Sequence, residues 1–392
     1  MKITNDIRYV GVNDHQVDLF EGQYVVPNGM AYNSYVILDE KVAVMDTVDR
    51  NFTHQWLDNI QNTLAGRKPD YLVIQHMEPD HSANIANFLK VYPDATVVSS
   101  AKAFTMMKQF FGDDYADRRV VVGEGSTLSL GKHTLAFVAA PMVHWPEVIV
   151  TYDTTDKVLF SADGFGKFGA LDVEEDWAFE ARRYYIGIVG KYGPQVQALL
   201  KKAADKIGLD NIRYICPLHG PVWRKDLGYI IDKYVHWATY EPEEKGVMIV
   251  YASMYGNTET AAEVLASKLA DRGVTNTRLY DVSSTHVSYL ISDLFKYSHL
   301  VLASVTYNLG IFPPMHNFLA DMKALNLQNR TVALVENGSW APRSGALMRA
   351  ELEKLKHMDI LDDGVTMASS LQEQNLSDMD ALADAIAASV LK

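Results

Sequence analysis

The densest group of potential metal ligands in the chain is the segment His76-Met77-Glu78-Pro79-Asp80-His81. It directly follows the apolar run at 71–74, which predicts a β-strand. Imidazoles and carboxylates at the end of a strand can reach one metal ion from a single short loop. Four side chains of these types within six residues therefore predict a metal site.

Three more potential ligands stand beside predicted strands. His144 precedes the strand at 148–152, Asp163 follows the strand at 158–161, and His219 follows the apolar run that begins at Tyr214. Taken singly, His144 could bond a turn, Asp163 could cap a helix, and His219 could be a satisfied buried histidine. The repetition of an apolar strand next to a His or Asp indicates one shared site.

A second kind of chemistry is indicated after the predicted strand at 247–252. A hydroxyl-rich loop leads into a predicted helix, and it consists of Ser253, Met254, Tyr255, Gly256, Asn257 and Thr258. Backbone N–H groups at a helix N-terminus attract phosphate, and Gly256 allows a close approach of the backbone. The loop lacks the Gly-Lys-Ser/Thr of nucleoside triphosphate loops and the three glycines of dinucleotide loops.

Two later strand-end loops strengthen this prediction, because each offers an aromatic ring and exposed backbone groups. The first comprises Ser304, Val305, Thr306, Tyr307, Asn308, Leu309 and Gly310, and the second comprises Asn337, Gly338, Ser339 and Trp340. A flat ring could stack on Tyr307 or Trp340. The alternative is that both aromatics serve ordinary packing.

The chain changes its pattern near 240–246, a charged stretch with Pro and Gly. Before it, short strands and helices predict sheets covered by helices. After it, strands and helices alternate regularly, which predicts a doubly wound parallel sheet with its ligand at the carboxyl ends of the strands. We predict an α/β protein with a metal-binding domain at 1–243 and a second domain at 247–392.

Composition narrows the functional classes. The 392 residues carry a formal net charge of −13, which argues against general nucleic-acid binding. The single cysteine, Cys216, allows neither an intrachain disulfide nor a four-cysteine iron centre. No apolar run is long enough for a membrane span, and the N-terminus lacks the apolar core of a signal peptide. We therefore expect a cytoplasmic protein with no membrane or nucleic-acid partner.

The spacing His-x-Glu-x-Asp-His, followed by a His, an Asp and a final His, resembles the metallo-β-lactamase fold, and most closely its flavodiiron protein branch. The second domain resembles flavodoxin. The resemblance covers the whole chain and implies an αββα sandwich followed by a flavodoxin-like domain, with two iron ions and one FMN. Hydrolytic members usually have His where this chain has Glu78, and added carboxylates favour iron.

The resemblance also implies the ligand set. His76, Glu78 and His144 would hold one iron, Asp80, His81 and His219 the other, and Asp163 would bridge them. Asp80 could bind the second iron without help from its neighbour His81, so the role of His81 as a ligand stays open. No separate catalytic acid or base is assigned, because the chemistry would belong to the diiron centre.

The function implied is reduction of dioxygen to water, of nitric oxide to nitrous oxide, or of both. Electrons would pass through FMN from an external donor such as rubredoxin or, in some archaeal members, a reduced deazaflavin. A head-to-tail homodimer or a dimer of dimers is also implied. Two alternatives remain: a zinc-dependent hydrolase of lactamase fold with an accessory flavodoxin domain, and a non-catalytic electron carrier. The ligand residues do not rank the two gases.

Overall fold

The computed structural model describes residues 1–392, which form two compact units, Met1–Tyr234 and Val235–Lys392. The boundary between them falls inside a helix. The domain limits 1–243 and 247–392 stay a prediction. No helix combines the length and the apolar character that a membrane crossing requires.

The first unit contains fifteen short strands: β1 (Ile7–Tyr9), β2 (Val12–Asp14), β3 (Leu19–Phe20), β4 (Tyr24–Val25), β5 (Met30–Tyr32), β6 (Tyr35–Ile37), β7 (Ala43–Met45), β8 (Tyr71–Val73), β9 (Thr96–Ser100), β10 (Arg119–Val122), β11 (Thr127–Ser129), β12 (Thr134–Ala139), β13 (Ile149–Asp153), β14 (Val158–Phe160) and β15 (Tyr214–Cys216). Its helices are α1 (Thr53–Leu64), α2 (Pro79–Ser82), α3 (Ile85–Val91), α4 (Ala101–Phe111), α5 (Trp177–Tyr184), α6 (Gly193–Lys206) and α7 (Leu227–Thr239), the last of which continues into the second unit. A π-helical turn, Tyr185–Val189, follows α5.

Two sheets form the centre of this unit. One has the order β1-β6-β7-β8-β9-β10, and the other has the order β11-β12-β13-β14-β15. Buried side chains of both sheets, among them Val73, Phe137 and Phe160, belong to one apolar cluster, so the sheets pack face to face. With helices such as α4 and α6 outside them, the architecture is the αββα sandwich that the resemblance implies.

The predicted strands at 71–74, 148–152 and 158–161 are present as β8, β13 and β14, with ends that differ by one residue. The strands β1–β5 and β11 and the helices α2, α5 and α7 were not predicted from the sequence. The missed strands are only two or three residues long. Such segments are too short to show an alternating pattern, and tertiary contacts alone define them.

The second unit has strands β16 (Glu244–Ala252), β17 (Thr277–Asp281), β18 (Tyr297–Tyr307), β19 (Gly310–Ile311), β20 (Arg330–Asn337) and β21 (Met358–Met367). Its helices are α8 (Asn257–Asp271), α9 (Val287–Lys296), α10 (Pro313–Ala324), α11 (Ser344–Leu352) and α12 (Glu373–Val390). β16 begins at Glu244, so the last three residues of the predicted linker belong to a strand. β21 was not predicted, because its run Asp359–Gly364 carries three aspartates.

The main sheet of the second unit is parallel, with the order β17-β16-β18-β20-β21. In chain order this is 2-1-3-4-5, the flavodoxin arrangement. Helices α8 and α12 bury Leu265, Leu382 and their neighbours against one face. The predicted doubly wound parallel sheet is confirmed, and it brings the carboxyl ends of β16, β18 and β20 to the same edge.

Candidate diiron and flavin sites

The seven predicted metal ligands all lie at one edge of the sandwich in the first unit. His76 and Glu78 stand in the loop after β8, and Asp80 and His81 are in the short helix α2. The other three, His144, Asp163 and His219, follow β12, β14 and β15. Six of the seven are buried, and the Glu78 side chain is 12% exposed. The structure therefore brings together every side chain that the spacing indicated.

The ligand atoms divide into two groups, one with His76, Glu78, His144 and Asp163 and the other with Asp80, His81 and His219. Asp163 Oδ2 lies 3.2 Å from Nε2 of both His76 and His144. Asp163 Oδ1 lies 3.6 Å from His81 Nε2 and 3.8 Å from His219 Nε2. One carboxylate thus presents one oxygen to each group, which is the geometry of a bridging ligand.

The side chains fit a pair of metal ions rather than a hydrogen-bonded core. Nε2 of His81 lies 2.9 Å from Nε2 of His219, and Nε2 of His76 lies 3.2 Å from Nε2 of His144. Two neutral imidazoles cannot satisfy each other when both present a lone pair. Both oxygens of Asp80 and of Asp163 are buried without a hydrogen-bond partner, an arrangement that protein interiors avoid. A divalent cation within each group would satisfy all of these atoms.

Several groups that the sequence analysis missed hold the ligands in place. Glu147, buried and 2.8 Å from His76 Nδ1, also accepts a hydrogen bond from the Met77 backbone N–H. His219 Nδ1 donates to the Ala31 carbonyl at 2.7 Å. Such contacts orient an imidazole so that its other nitrogen faces the metal. Glu147 stands three residues after His144 and directly before the predicted strand at 148–152, and this position was the available signal.

The electrostatics of the site favour positive charge. Burial acts to lower the pKa of His76, but the charge of Asp163 and the hydrogen bonds to Glu147 and Glu78 outweigh it, so this pKa stands well above its ordinary value. For Asp163, burial acts in the opposite direction, and the imidazoles of His76 and His144 hold the pKa well below its usual range. The Asp163 carboxylate therefore stays ionised, as a metal ligand must.

A polar pocket of about 500 Å³ leads to this site, and Glu78, Asp80, Glu21 and Asp49 are among its lining residues. Two tyrosines stand close to the ligands. The rings of Tyr184 and Tyr32 lie 5.4 Å and 5.9 Å from the His219 ring, between centroids. The sequence contains 21 tyrosines, and nothing in their spacing distinguished these two.

In the second unit, the predicted phosphate loop connects β16 to α8. Gly256 has φ +87°, in the left-handed region that favours glycine, and Ser253 Oγ accepts from the Gly256 N–H. Thr258 is buried in the first turn, and its hydroxyl accepts a hydrogen bond from the Asn337 side chain at 3.2 Å. Asn337 also donates to the Ser369 carbonyl at 2.7 Å, so it ties the phosphate loop to two other strand-end loops.

The two strand-end loops at 304–310 and 337–340 enclose a cavity of about 180 Å³ beside the phosphate loop. Of the predicted residues it is lined by Met254, Val305, Thr306, Tyr307, Asn308, Leu309, Gly338, Ser339 and Trp340, together with Ala341, which was not predicted. The remaining predicted residues do not line it: Ser253, Tyr255, Gly256, Asn257, Thr258, Ser304, Gly310 and Asn337.

The residues outside this cavity have other positions. Ser304 and Asn337 are buried behind it, and Gly310 pairs with Tyr307 in a short hairpin. Trp340 is 88% exposed and lines the cavity, so its ring is available to a bound ring, whereas Tyr255, which is 89% exposed, lies outside the cavity lining. The donors of the phosphate loop and the flat aromatic walls of the cavity fit a flavin mononucleotide.

These features define a class of protein: a lactamase-type sandwich with a binuclear metal site, joined to a flavodoxin-type domain. Residues 30–220 match the family described as ODP family beta lactamase, and residues 249–357 match the flavodoxin family.

Relatives extend the similarity over both domains. The rubredoxin-oxygen oxidoreductase of Megalodesulfovibrio gigas is 32% identical over 88% of this chain and 86% of its own. The nitric oxide reductase of Moorella thermoacetica is 30% identical over 93% of this chain and 92% of its own. The solved flavodiiron protein of Giardia intestinalis superposes with a TM-score of 0.92, at 28% identity, over 100% of this chain and 97% of its own. The chain belongs to the flavodiiron protein family.

Proposed function

We propose that this protein is a flavodiiron oxidoreductase that reduces dioxygen to water, nitric oxide to nitrous oxide, or both. The observation on which the proposal rests is the position of Asp163, whose two oxygens face two separate groups of ligands. A binuclear site of this kind, with a flavin domain in the same chain, suits multi-electron reduction of a small molecule. The names of the two relatives, an oxygen oxidoreductase and a nitric oxide reductase, support the same reaction class.

Each residue has a defined part in this proposal. His76, Glu78 and His144 hold one iron, Asp80, His81 and His219 hold the other, and Asp163 bridges them. When bound, the flavin stores electrons and the iron pair delivers them to the gas. Glu147 and the Ala31 carbonyl keep His76 and His219 turned towards the metals. The three carboxylates, Glu78, Asp80 and Asp163, offset most of the charge of two divalent ions.

FMN is held by the flavodoxin-like domain, for which we propose the limits 247–392, after a diiron domain at 1–243. We propose that the 253–258 loop holds the phosphate and that the loops at 304–310 and 337–340 hold the ring. An external donor of the rubredoxin type supplies the electrons, in keeping with the name of the Megalodesulfovibrio relative. A head-to-tail homodimer, or a dimer of dimers, in the cytoplasm completes the proposal.

Consumption of each gas by the reconstituted enzyme tests the function. Protein loaded with iron and FMN is mixed anaerobically with reduced rubredoxin, and dioxygen or nitric oxide is then added. The proposal expects steady consumption of at least one gas, with water or nitrous oxide as product. If the donor stays reduced with both gases while a chromogenic β-lactam or thioester is hydrolysed by the zinc-loaded protein, the hydrolase alternative replaces the proposal.

A further inference from the structure

A second cavity in the first unit lies behind the metal-binding loops, on the side where α6 and α7 cover the second sheet. Its volume is about 50 Å³, and strands β12 to β15 contribute residues to its wall. Val143, Ser161 and Phe165 form part of this wall, and all three are buried. Val143 precedes His144, and Ser161 and Phe165 lie on either side of Asp163. The cavity therefore touches two of the loops that carry metal ligands.

The opposite end of the cavity is formed by the helix α6. Leu199, Leu200, Ala203 and Ile207 line it and are partly exposed to solvent. These positions recur at the spacing of one helix face. The face of α6 that covers the sheet therefore also borders the cavity on its solvent side. The cavity thus extends from the surface at α6 inwards to the back of the metal loops.

The wall is almost entirely aliphatic, and its few polar groups are bonded within the protein. The Ser161 hydroxyl donates to the Gly164 carbonyl at 2.8 Å, and the Phe165 N–H donates to the Tyr234 hydroxyl at 2.5 Å. A buried water molecule needs two to four polar partners, which this wall does not offer. Its volume is several times the roughly 10–15 Å³ that one water molecule requires, and apolar cavities in proteins stay dry and accept apolar guests such as xenon.

The pocket that Glu78 and Asp80 line has a different, mixed character. It is ten times larger, about 500 Å³, and is lined by carboxylates such as Asp14, Glu21 and Asp49. Water and protons are suited to that polar pocket. A small uncharged molecule with little affinity for water is suited to the aliphatic cavity.

We propose that this aliphatic cavity is a binding site for a diatomic apolar gas and supplies it to the metal loops from the side opposite the polar pocket. The identity of the gas rests on the proposed function, according to which the occupant of the cavity is dioxygen or nitric oxide. The cavity raises the local concentration of gas near Asp163 and His144, while the carboxylate-lined pocket stays separate.

Xenon is the probe that tests the site without reference to activity. Crystals of the iron- and FMN-loaded protein are pressurised with xenon. The same protein preparation is examined separately in solution by xenon-129 NMR. We expect one xenon in the cavity of the unmodified protein. We expect it to be lost in Ala203→Phe, where a phenyl ring enters from the cavity mouth, and to remain in Ala204→Phe, the matched change at the exposed neighbouring position of the same helix. A cavity that holds ordered water, or no xenon, overturns the proposal.

Gas supply is tested by the kinetics of the same variants at equal iron and FMN content. For Ala203→Phe we expect the KM for the gas to rise about tenfold with kcat unchanged, because access and not chemistry is impaired. Ala204→Phe should match the unmodified protein, and Ala203→Leu, a smaller change if the phenyl variant fails to fold, should be intermediate. An unchanged KM in a variant that has lost xenon overturns the supply route. Failure of the unmodified protein to reduce either gas overturns the proposed function, while the xenon result still decides the binding site.

Discussion

Nδ1 of His76 lies 2.8 Å from Oε1 of Glu147, and both side chains are fully buried. The contact joins residues 71 positions apart in the chain and is reinforced by the Met77 backbone N–H, which donates to the same oxygen. It commits Nδ1 of His76 to the carboxylate and leaves Nε2 for a metal. Glu147 therefore positions the imidazole of His76 and, through it, the first of the two proposed iron positions.

Glu147→Gln should weaken iron binding without unfolding the domain. The amide keeps the shape of the side chain but removes the charge that makes His76 a stronger ligand, and loss of such contacts typically costs about 10- to 100-fold in metal affinity. Iron affinity is measured by chelator competition. Glu174→Gln, at an exposed position, is the control. Equal iron affinity in Glu147→Gln and the control would refute the positioning role.

Asp163→Asn should remove the bridge between the two metal groups. The amide has only one oxygen to offer to two metal positions, and its N–H₂ group repels cations. The iron content should therefore fall below about one atom per chain, which is half the content of a two-metal site. FMN content, read from flavin absorbance, should be unchanged, because the flavin site is in the other domain. The control is Asp117→Asn, at an exposed carboxylate. Full iron content in Asp163→Asn would contradict the bridging assignment.

Trp340→Ala should weaken FMN binding selectively. Trp340 is 88% exposed at the wall of the flavin cavity, and stacking of an aromatic on a flat ring contributes about 1–3 kcal/mol, so the Kd should rise about 5- to 150-fold. Fluorescence titration of the flavin-free protein with FMN measures this. Phe110→Ala, at an exposed aromatic of the first unit, is the control. If the Kd for FMN changes as little in Trp340→Ala as in Phe110→Ala, the flavin ring does not stack on Trp340.

His133 should make the stability of the first domain depend on pH. Its Nδ1 and Nε2 lie 3.0 Å from Asp153 and 3.2 Å from Asp6. Burial acts to lower the pKa of His133, but the hydrogen bonds to these two carboxylates raise it to about 9. Because the folded-state pKa is raised, the stabilisation is complete below the unfolded pKa of about 6.5 and is lost as the pH rises through about 9.

The size of this effect is about 1–2 kcal/mol, since Asp6 is partly exposed and solvent weakens its interaction. Urea unfolding of the iron-loaded protein at pH values from about 6 to 10 measures it. His133→Gln should flatten the loss of stability in that window. An identical pH profile for His133→Gln and the unmodified protein would assign the effect to other groups.

The sequence predicted the parts of this molecule that depend on local pattern. Most of the flavodoxin-like sheet was predictable because its strands and helices alternate regularly and several are long, as in β18 and α8. The seven proposed ligands were predictable because four of them stand in one short segment and the other three stand beside apolar runs. Tyr184 and the Ala31 carbonyl were not predictable, since their roles arise from contacts between segments far apart in the chain, and for Glu147 the only local signal was its closeness to His144. The same applies to β21, where a polar run is held in the sheet by pairing with β20.

The metal and flavin content of anaerobically purified protein tests the central claim most directly. About two irons and one FMN per chain, as a binuclear site with one flavin domain requires, is the result we predict. Two zinc ions per chain, reproduced after expression with iron in excess, would contradict the account and favour a hydrolase with an accessory flavin domain.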